Sequence, residues 1–508
     1  MGFLKNFNWH EALVMAGLQL NILSGAQTIY GIFLKHNGTM TNVRKSDFFE
    51  KSDSDKFFSA VMEFKDIPGN AFLSEWLIQF QYIGMFIGSI LGGICGDFFG
   101  RKPMLIASLL ACAGIMIGQA ALFNPYILVV MRLLTGVGSG CVIIVSWTLT
   151  TELIQPKTRF LARAFFNWPN ARLILTLICF LAGNWRIALF IFGAFGIITA
   201  AFYTFAVPES PNWLQKKGRT DDAKNIRSLV LKRSNYKCDI VLGDTAQIPF
   251  RAIFKMPRLR NTFLLLSFMW ICNSFTAVVT DFGFTEIVGT NSFFLSQVLI
   301  SAILFCAKAT LGVFEILTGY VSRRNLHLIS LLGSTVFYAI AGVALAFKWD
   351  LVNNYLFAVP YIIGLIFTEF CWDACYLCVI ELMPTEMRAT ATGACSLVAR
   401  IGAMLATLTL YLQKLYAPSA LFVVSFLAFV NFVIIYFALQ ETKSVHLGKV
   451  GSRKVSSRRP SRVDVFPEPD KPRRRSIAEE EYEEIREKRK KSTSSHESSF
   501  AAPPTIVP

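Results

Sequence analysis

Three charged side chains lie deep inside long apolar segments, where they can bind or balance an ionic group. Arg400 lies about ten residues into the segment 390–411, and Lys308 and Asp373 lie inside two other segments. A charge near the centre of a bilayer costs about 2.5–3.5 kcal/mol on insertion scales, so each of them needs a partner or a task. A guanidinium grips a carboxylate through two parallel hydrogen bonds, which favours an organic anion or zwitterion as the ligand of Arg400.

The other two charges leave more than one interpretation open. Lys308 is a second cation for the ligand, or it pairs internally with Glu315, seven residues on along the same helix face, or with Asp373. The carboxylate of Asp373 can hold an organic cation, carry a proton, or neutralise Arg400 or Arg172. Of these three roles, we expect neutralisation.

Aromatic side chains near these charges can form the apolar or cation–π walls of a binding cavity. Because the chain contains 46 Phe, most aromatic residues must face lipid or pack in the protein core. A polar interruption, Asn167-Trp168-Pro169-Asn170, precedes Arg172 and predicts either a kinked, cavity-lining helix or a shorter one. The candidate wall residues are Trp168, Trp270, Phe275, Phe370 and Tyr376.

A tight turn at Gly93–Lys102 joins two apolar segments and places an acid, a glycine and two cations together. Asp97 can cap or pair with cationic groups on a neighbouring helix, and such a contact can hold one conformation and release in another. Gly100 suits the end of a helix, and Arg101 and Lys102 follow it directly. The alternative is a membrane turn whose basic residues only fix topology.

A second pattern occurs once in each half of the chain. Glu152-x-x-x-Pro156-x-x-Arg159 follows the fourth apolar segment, and Glu381-x-x-Pro384-x-x-x-Arg388 follows the tenth. Each pattern places an acid at a helix end, a proline that stops the helix and an arginine that opens the next one. The corresponding positions indicate two pseudo-symmetric halves with a cavity between them.

The elements that position these residues are transmembrane helices. The chain has 508 residues, of which 53% are hydrophobic and only 17% are charged, and soluble domains rarely have this composition. Backbone groups in lipid must find partners within their own segment, so the apolar segments are predicted to be α-helices. Twelve spans are predicted at 12–34, 72–96, 104–123, 126–150, 160–182, 187–207, 262–284, 293–320, 327–347, 353–380, 390–411 and 416–438.

The chain has a net charge of +16. Because its basic residues are concentrated in alternate loops, we interpret this charge as a topology signal and not as a sign of nucleic-acid binding. Twelve Lys or Arg lie in 208–261, and the loops of the same parity are basic, which places both termini in the cytoplasm. We therefore predict a multi-pass protein, expected in the plasma membrane. Its predicted parts are a six-helix bundle (1–207) with an extracellular loop (35–70), a cytoplasmic linker (208–261), a second bundle (262–439) and a mostly disordered cytoplasmic tail (440–508).

Modification and metal chemistry are limited in this sequence. Asn37-Gly38-Thr39 is a glycosylation acceptor pattern in the predicted extracellular loop, and Ser476 follows three arginines as in a basic-directed kinase site. Cys371, Cys375 and Cys378 share one helix face, but without a nearby His we interpret them as packing residues. We expect no metal centre, no cofactor and no enzymatic activity.

The motifs resemble those of the major facilitator superfamily, and within it the organic cation, anion and carnitine transporter family, also called solute carrier family 22. The turn Gly93–Lys102 resembles the superfamily's loop signature. The resemblance covers roughly residues 72–443. Its other motifs are Asn184-Trp185-Arg186, Val207-Pro-Glu209-Ser-Pro211-Asn-Trp213-Leu, Met256-Pro257-Arg258-Leu259-Arg260, Glu381-Leu-Met-Pro384-Thr385-Glu-Met-Arg388 and Gln440-Glu441-Thr442-Lys443.

This resemblance implies a secondary or facilitative transporter that works by alternating access around a midplane site. The family has arginine at the position of Arg400 in anion and carnitine carriers and aspartate there in cation carriers, and Cys306-Ala-Lys308 resembles a stretch of its anion carriers. Its partners would be a small organic ion, the lipid bilayer, a coupling ion or counter-substrate, and cytoplasmic proteins at the tail. The implied gating residues are Gly93, Asp97, Gly100, Arg101, Lys102, Glu152, Arg159, Glu381 and Arg388.

The chain also departs from the family pattern, and two rival functions stay open. The loop 35–70 is short and lacks cysteine, Asn212 replaces an arginine, and the second-half loop at Ser322 lacks the expected acid. The segment Trp270–Val278 replaces a tyrosine pair that commonly lines the family's cavity. The rivals are an organic-cation carrier that uses Asp373 and a non-transporting receptor or scaffold of the same fold.

Overall fold

The computed structural model of the protein describes residues 9–35, 57–64, 73–154, 163–233, 254, 256–287, 293–318, 323–348, 354–383 and 388–439. Within these ranges every regular element is a helix, and the one β-type contact is an isolated bridge between Phe58 and Asn184. The predicted all-α fold is confirmed. Asn37, Arg159, Ser476 and the tail 440–508 lie outside the described residues.

The first half of the chain contributes ten described helices, of which the last two lie in the predicted linker 208–261. They are α1 (Trp9–Gly25), α2 (Gln27–Lys35), α3 (Ala60–Glu63), α4 (Leu73–Phe99), α5 (Arg101–Ala120), α6 (Pro125–Leu153), α7 (Trp168–Ala182), α8 (Trp185–Ala206), α9 (Pro211–Lys216) and α10 (Thr220–Arg233).

The second half contributes six described helices, and all six are long. They are α11 (Pro257–Ile287), α12 (Phe293–Thr318), α13 (Arg323–Ala346), α14 (Asn354–Leu382), α15 (Arg388–Leu415) and α16 (Ser419–Ala438).

Twelve stretches of the described chain are long and apolar enough to cross a membrane, which confirms the predicted number of spans. Numbered in chain order, spans 1–12 are α1 with α2, α4, α5, α6, residues 163–182 (which include α7), α8, α11, α12, α13, α14, α15 and α16. We call the face that carries the Gly100 turn the basic face, and the face that carries residues 57–64 the loop face. The cytoplasmic position of the basic face stays a prediction.

Span 5 is broken at the polar interruption that the sequence predicted. Residues 163–165 are helical, the chain bends at 166–167, and α7 begins at Trp168. The Asn167 side chain caps α7 by accepting a hydrogen bond from the Asn170 backbone N–H at 3.3 Å, and a proline in the first turn of α7 needs no N–H partner. The span is therefore a kinked helix, with Arg163 before the break and Arg172 after it.

Glycines let spans 2 and 4 pack backbone to backbone. A Cβ atom at Gly84 would collide with the Leu133 carbonyl oxygen, and one at Gly136 with the Gln81 carbonyl oxygen. Small residues allow such close approach between membrane helices, where dispersion contacts replace the hydrophobic effect as the driving force. Spans 2 and 4 are therefore in direct backbone contact.

The most extensive contacts between the two halves are along two helix pairs. Span 5 packs against span 8, and span 2 packs against span 11. All described residues belong to one compact unit, so the division into two six-helix bundles stays a prediction. The charged residues identified from the sequence lie at or near this interface between the halves.

Candidate functional site

Lys308 and two carboxylates form a buried cluster near the basic-face end of the interface. The Lys308 Nζ donates to Glu369 Oε2 at 3.0 Å and lies 3.2 Å from Asp373 Oδ1. The side chains of Lys308 and Asp373 are only 2% and 3% exposed. Arg163, from the other half of the chain, donates to the same Asp373 oxygen at 3.3 Å. Asp373 is thus shared between a cation of its own half and a cation of the opposite half.

A second ion pair joins the halves nearer the loop face. Arg172 NH1 donates to Asp281 Oδ1 at 2.8 Å, and Arg172 also donates to Gln297 Oε1 from NH2 at 2.9 Å and from Nε at 3.2 Å. Glu369 lies within electrostatic range of Asp281, which links this pair to the Lys308 cluster. Span 5 therefore supplies two arginines to two carboxylates of the second half.

These contacts correct the expected partners of the buried charges. Asp373 is neutralised by Lys308 and Arg163, and not by Arg400 or Arg172. The partners of Lys308 are on another helix, and they do not include Glu315 within 4 Å. Spacing along one helix favoured Glu315, whereas the packing of span 8 against span 10 brings both acids of span 10 to the ammonium group.

The set of charges described so far is electrically balanced. It contains three cations and three carboxylates, and each cation contacts at least one carboxylate. Burying a charge is costly unless it is paired, so this balance explains how six ionisable groups are tolerated in the spans. The members are Arg163, Arg172, Lys308, Asp281, Glu369 and Asp373, which we call the charge ladder.

Arg400 is different because it has no such partner. It is partly buried, its Nε has no hydrogen-bond partner, and no described carboxylate lies within 4 Å of it. Its charge interacts with the phenol groups of Tyr376 and Tyr82, one from each half. Arg132 also lacks an acidic partner, but it is completely enclosed and donates to the Gln27 carbonyl oxygen at 2.9 Å and to Gln81.

Aromatic rings surround the region between Arg400 and the charge ladder. The Tyr376 ring lies 4.3 Å from the ring of Trp270 and 5.3 Å from that of Trp147, measured between centroids. The Arg163 guanidinium carbon lies 3.6 Å from the Tyr376 centroid. Trp270 Nε1 and, one turn further along span 7, Asn273 Nδ2 are buried without hydrogen-bond partners. The predicted wall residues Trp270 and Tyr376 therefore lie together.

The other predicted wall residues are distributed differently. Trp168 and Phe275 are partly buried against the large core cluster that reaches the loop face. Phe370 packs against a small cluster that contains Leu326 and Ala374. Their roles as ligand contacts stay predictions, as do those of Arg400, Lys308 and Asp373.

Residues of the two halves are in contact near both faces. Near the basic face, Trp147 and Arg163 contact Tyr376 and Asp373, and we call these four residues the basic-face seal. Near the loop face the contacts are between phenylalanine rings with centroids 5.3–6.0 Å apart. This loop-face seal consists of Phe33, Phe57, Phe180, Phe293 and Phe294.

The turn after span 2 is held by ion pairs on the basic face. Arg101 NH2 lies 2.5 Å from Asp97 Oδ1, and Arg101 Nε lies 4.0 Å from Glu152 Oε2 at the end of span 4. Gly100 has a φ of +118°, a conformation that other residues rarely adopt. A Cβ atom at Gly100 would also lie 2.7 Å from Glu209 Oε2. The glycine is therefore required by both the backbone and its neighbour.

Glu209 completes this turn from the far side of span 6. Its carboxylate accepts hydrogen bonds from the Lys102 backbone N–H at 3.1 and 3.2 Å and from the Ser210 N–H at 2.8 Å. Burial raises the pKa of Glu209 despite these hydrogen bonds and the nearby Arg101 charge. Trp213 Nε1 donates to the Asp97 carbonyl oxygen at 3.0 Å. The segment after span 6 therefore stabilises the turn at Gly100.

The remaining predicted gating residues are only partly placed. A Cβ atom at Gly93 would meet no atom within 4 Å, so this glycine is not needed for close packing. Glu381 lies in the last turn of α14 and Arg388 begins α15. Lys102 Nζ donates to the Thr204 carbonyl oxygen at 2.8 Å. The gating roles of these residues stay predictions.

Several residues of the site were not singled out by the sequence. Arg163, Asp281 and Glu369 lie inside or at the end of predicted spans, and Trp147 lies inside span 4. Counting the charges in the spans would have pointed to Asp281 and Glu369, because Arg172, Lys308 and Arg400 needed more acids than Asp373 alone. No sequence signal distinguishes Trp147. Cys371, Cys375 and Cys378 are buried in a core cluster, and no metal-binding group of three His, Cys, Asp or Glu occurs among the described residues.

Comparisons with known proteins agree with this architecture. A family described as "Sugar (and other) transporter" matches residues 13–452. An uncharacterized protein of Caenorhabditis elegans is 30% identical over 409 residues, which are 77% of this chain and 80% of that protein. Solute carrier family 22 member 7 of Mus musculus is 27% identical over 352 residues, which are 65% of this chain and 62% of that protein.

A solved structure shows the same fold at low sequence identity. The major facilitator superfamily proton:xylose symporter XylE, bound to 6-bromo-6-deoxy-D-glucose, matches with a TM-score of 0.63 and 16% identity, over 87% of this chain and 99% of that chain. At this identity the similarity shows the fold alone. Together with the family match and the twelve spans, it shows a membrane transporter of small solutes and not an enzyme. The chain belongs to the sugar (and other) transporter family of the major facilitator superfamily and resembles solute carrier family 22.

Proposed function

We propose that the protein carries small organic anions, or zwitterions with a carboxylate, across the plasma membrane, and that Arg400 binds the anionic group. The observation that supports this proposal is the unbalanced charge of Arg400 in an otherwise balanced interface. A cation inside the spans without a counter-ion is costly, and a ligand carboxylate would reduce that cost while binding. The orientation with both termini in the cytoplasm is part of the proposal.

The unpartnered polar atoms near Arg400 support the same ligand class. Arg400 Nε, Trp270 Nε1 and Asn273 Nδ2 are all hydrogen-bond donors, and they lie on spans 7 and 11, which pack together. Buried donors are normally satisfied, so a ligand that supplies acceptors fits this region better than one that supplies donors. The rings of Trp270 and Tyr376 offer an apolar surface for the body of the ligand.

Uptake measurements in cells or proteoliposomes test this proposal. We expect accumulation of a labelled carboxylate, with benzoate and carnitine as the first probes, to exceed accumulation of the cation tetraethylammonium. Arg400→Gln should reduce carboxylate uptake at least about tenfold, because losing a charge-assisted hydrogen bond costs about 1.5–3 kcal/mol. Arg400→Lys should retain part of the activity, since it keeps the charge and loses the two-pronged geometry.

Arg219→Gln is the matched control, because it removes an arginine charge at an exposed surface pair with Asp222. Surface expression of each variant is measured beside its uptake. Full carboxylate uptake by Arg400→Gln, at wild-type surface expression, would contradict the assignment of Arg400.

The two rival functions have less support in the geometry. An organic cation at Asp373 would have to compete with Arg163 and Lys308, which already contact the carboxylate. Tetraethylammonium uptake that is lost in Asp373→Asn would nevertheless favour this rival. A receptor or scaffold would show no uptake of any probe and would retain a partner that requires the tail.

A further inference from the structure

We propose that the pair Glu369 and Asp373 is a proton-binding site, and that opening of the basic face is coupled to uptake of a proton there. The proposal concerns the conformational cycle and does not depend on which solute is carried. It depends on three features of the charge ladder: the origin of its cations, the number of its charges and the placement of the basic-face seal.

The cations of the ladder come from different halves of the chain. Arg163 and Arg172 belong to the first half, whereas Lys308 and all three carboxylates belong to the second. When the halves separate at the basic face, Arg163 moves away from Asp373 while Lys308 stays with it. The Arg163–Asp373 contact is therefore one of those that must break for this face to open.

Separation leaves too few positive charges around the two acids. Lys308 then remains as the ammonium group in contact with both Glu369, at 3.0 Å, and Asp373, at 3.2 Å. Two carboxylates that share one cation repel each other, and a proton bound to either one removes the excess negative charge. The protonated acid donates one hydrogen bond in place of the lost ion pair.

Charged and titratable groups from spans 5, 7, 8, 9 and 10 lie around this pair, and the Tyr338 hydroxyl of span 9 is 2.9 Å from Thr368 Oγ1, next to Glu369. Lys308 comes from span 8 and Arg163 from span 5, and both attract the carboxylates. Asp281, from span 7, lies within electrostatic range of Glu369 and is itself paired with Arg172. The Tyr376 ring lies under Arg163 and keeps the guanidinium over the site.

The direction of the pH effect follows from these contacts. Opening takes the Arg163 charge away from Asp373, so the open state binds a proton on this pair more readily than the closed state does. A lower pH therefore favours the open basic face. If one proton is bound on opening, the opening equilibrium constant changes by up to about tenfold per pH unit.

The test measures opening without any transported solute, so its result is separate from that of the uptake assays. Ile143 lies one helical turn from Trp147 toward the loop face, behind the basic-face seal, and is partly buried. An Ile143→Cys variant is prepared in a background in which Cys95, Cys238 and Cys306 are replaced by Ala. Labelling by a membrane-impermeant maleimide is followed in inside-out vesicles between pH 6 and 8.

Thiols react more slowly at low pH, so each rate is divided by that of Asn212→Cys, which is exposed on the basic face. We expect the corrected rate for Ile143→Cys to rise at least about tenfold from pH 8 to pH 6. Adding Asp373→Asn should give fast labelling at both pH values. Adding Asp373→Glu should keep the pH response, which shows that the variants at this position fold.

Glu63→Gln is the matched control, because it neutralises a carboxylate of an ion pair with Arg186 outside the ladder. It should leave the pH response intact. A flat response in the parent, or a response that survives Asp373→Asn, would overturn the proposal. A rate that depends on Na⁺ replacement by N-methylglucamine at constant pH, instead of on pH, would show a metal-cation site and would also overturn it.

Discussion

The two seals between the halves of the molecule consist of different types of side-chain contact. The loop-face seal consists of five phenylalanines, with Phe294 contacting four other rings. The basic-face seal combines an ion pair with a cation over two aromatic rings. Apolar contacts do not respond to pH, whereas an ion pair responds to protonation of its acid. The comparison predicts that one face opens by separating apolar surfaces and the other by breaking an ion pair.

The largest expected effect is at the loop-face seal. Truncating a buried phenylalanine typically costs about 3–5 kcal/mol, so Phe294→Ala should shift the equilibrium toward an open loop face by at least about a hundredfold. Ile78 is 1% exposed and, like Phe282, packs against Gly31, and a cysteine at this position reports opening from the loop face. The ratio of variant to parent labelling should be the same at pH 6 and pH 8.

Phe205→Ala is the control for this experiment, since Phe205 is 87% exposed on the outside of span 6. Unchanged labelling in Phe294→Ala would show that the phenylalanine cluster does not close this face. A pH-dependent ratio would remove the proposed contrast between the two seals.

The next effect concerns a close contact between spans 5 and 8 near the basic face. A Cβ atom at Gly312 would lie 2.7 Å from the Cβ of Ala164, so Gly312→Ala must push the two spans apart. Overpacking of this kind costs about 1–3 kcal/mol, which should raise Ile143→Cys labelling about 5- to 150-fold. Gly114→Ala is the control, because its Cβ would meet no atom within 4 Å. Equal labelling in both variants would contradict the tight closure.

A smaller effect is expected from a variant that removes the aromatic contact of the basic-face seal and leaves its ion pair intact. Tyr376→Leu removes the ring under Arg163, and a cation–π contact is worth about 0.5–2 kcal/mol, so labelling at Ile143→Cys should rise about 2- to 30-fold. The pH response should persist because Asp373 is unchanged. Tyr376→Phe keeps the ring and should behave nearly as the parent. Loss of the pH response in Tyr376→Leu would show that the ring, and not Asp373, carries it.

The smallest effect is expected at Glu209, outside the spans. Burial holds its pKa above the ordinary value of about 4.3, so the folded state prefers the protonated acid. The stabilisation is fully present below the ordinary value and is lost as the pH rises through the raised pKa. The Tm of the purified protein should therefore fall slightly from pH 4 upward in this window, and Glu209→Gln should flatten the change. An unchanged slope in the variant would show that Glu209 does not contribute.

The fold could be predicted from the sequence because lipid imposes strong rules. Twenty-residue apolar segments, basic loops and the turn at Gly100 identified the twelve helices and the family. Even the kink of span 5 was indicated by Asn167 and Pro169, since a polar cap and a proline have local effects. These features depend on neighbouring residues along the chain.

The candidate site was less predictable because its contacts join residues far apart in the chain. Arg163 and Asp373 are 210 positions apart, and no periodicity within one helix indicates that they meet. Lys308 was assigned to Glu315 or Asp373, and the structure adds Glu369, which the sequence gave no reason to prefer. Only the total balance of charges in the spans could have signalled the missing partners.

The break in span 5 has a mechanical consequence. Arg163 lies before the bend at 166–167 and Arg172 after it, so one helix carries a contact to the second half on each side of a pivot. If this helix tilts about the bend, one arginine moves toward its carboxylate while the other moves away from its own. Closure of both faces would then depend on span 5. A state open at both faces would require span 5 to lose its two ion pairs at the same time.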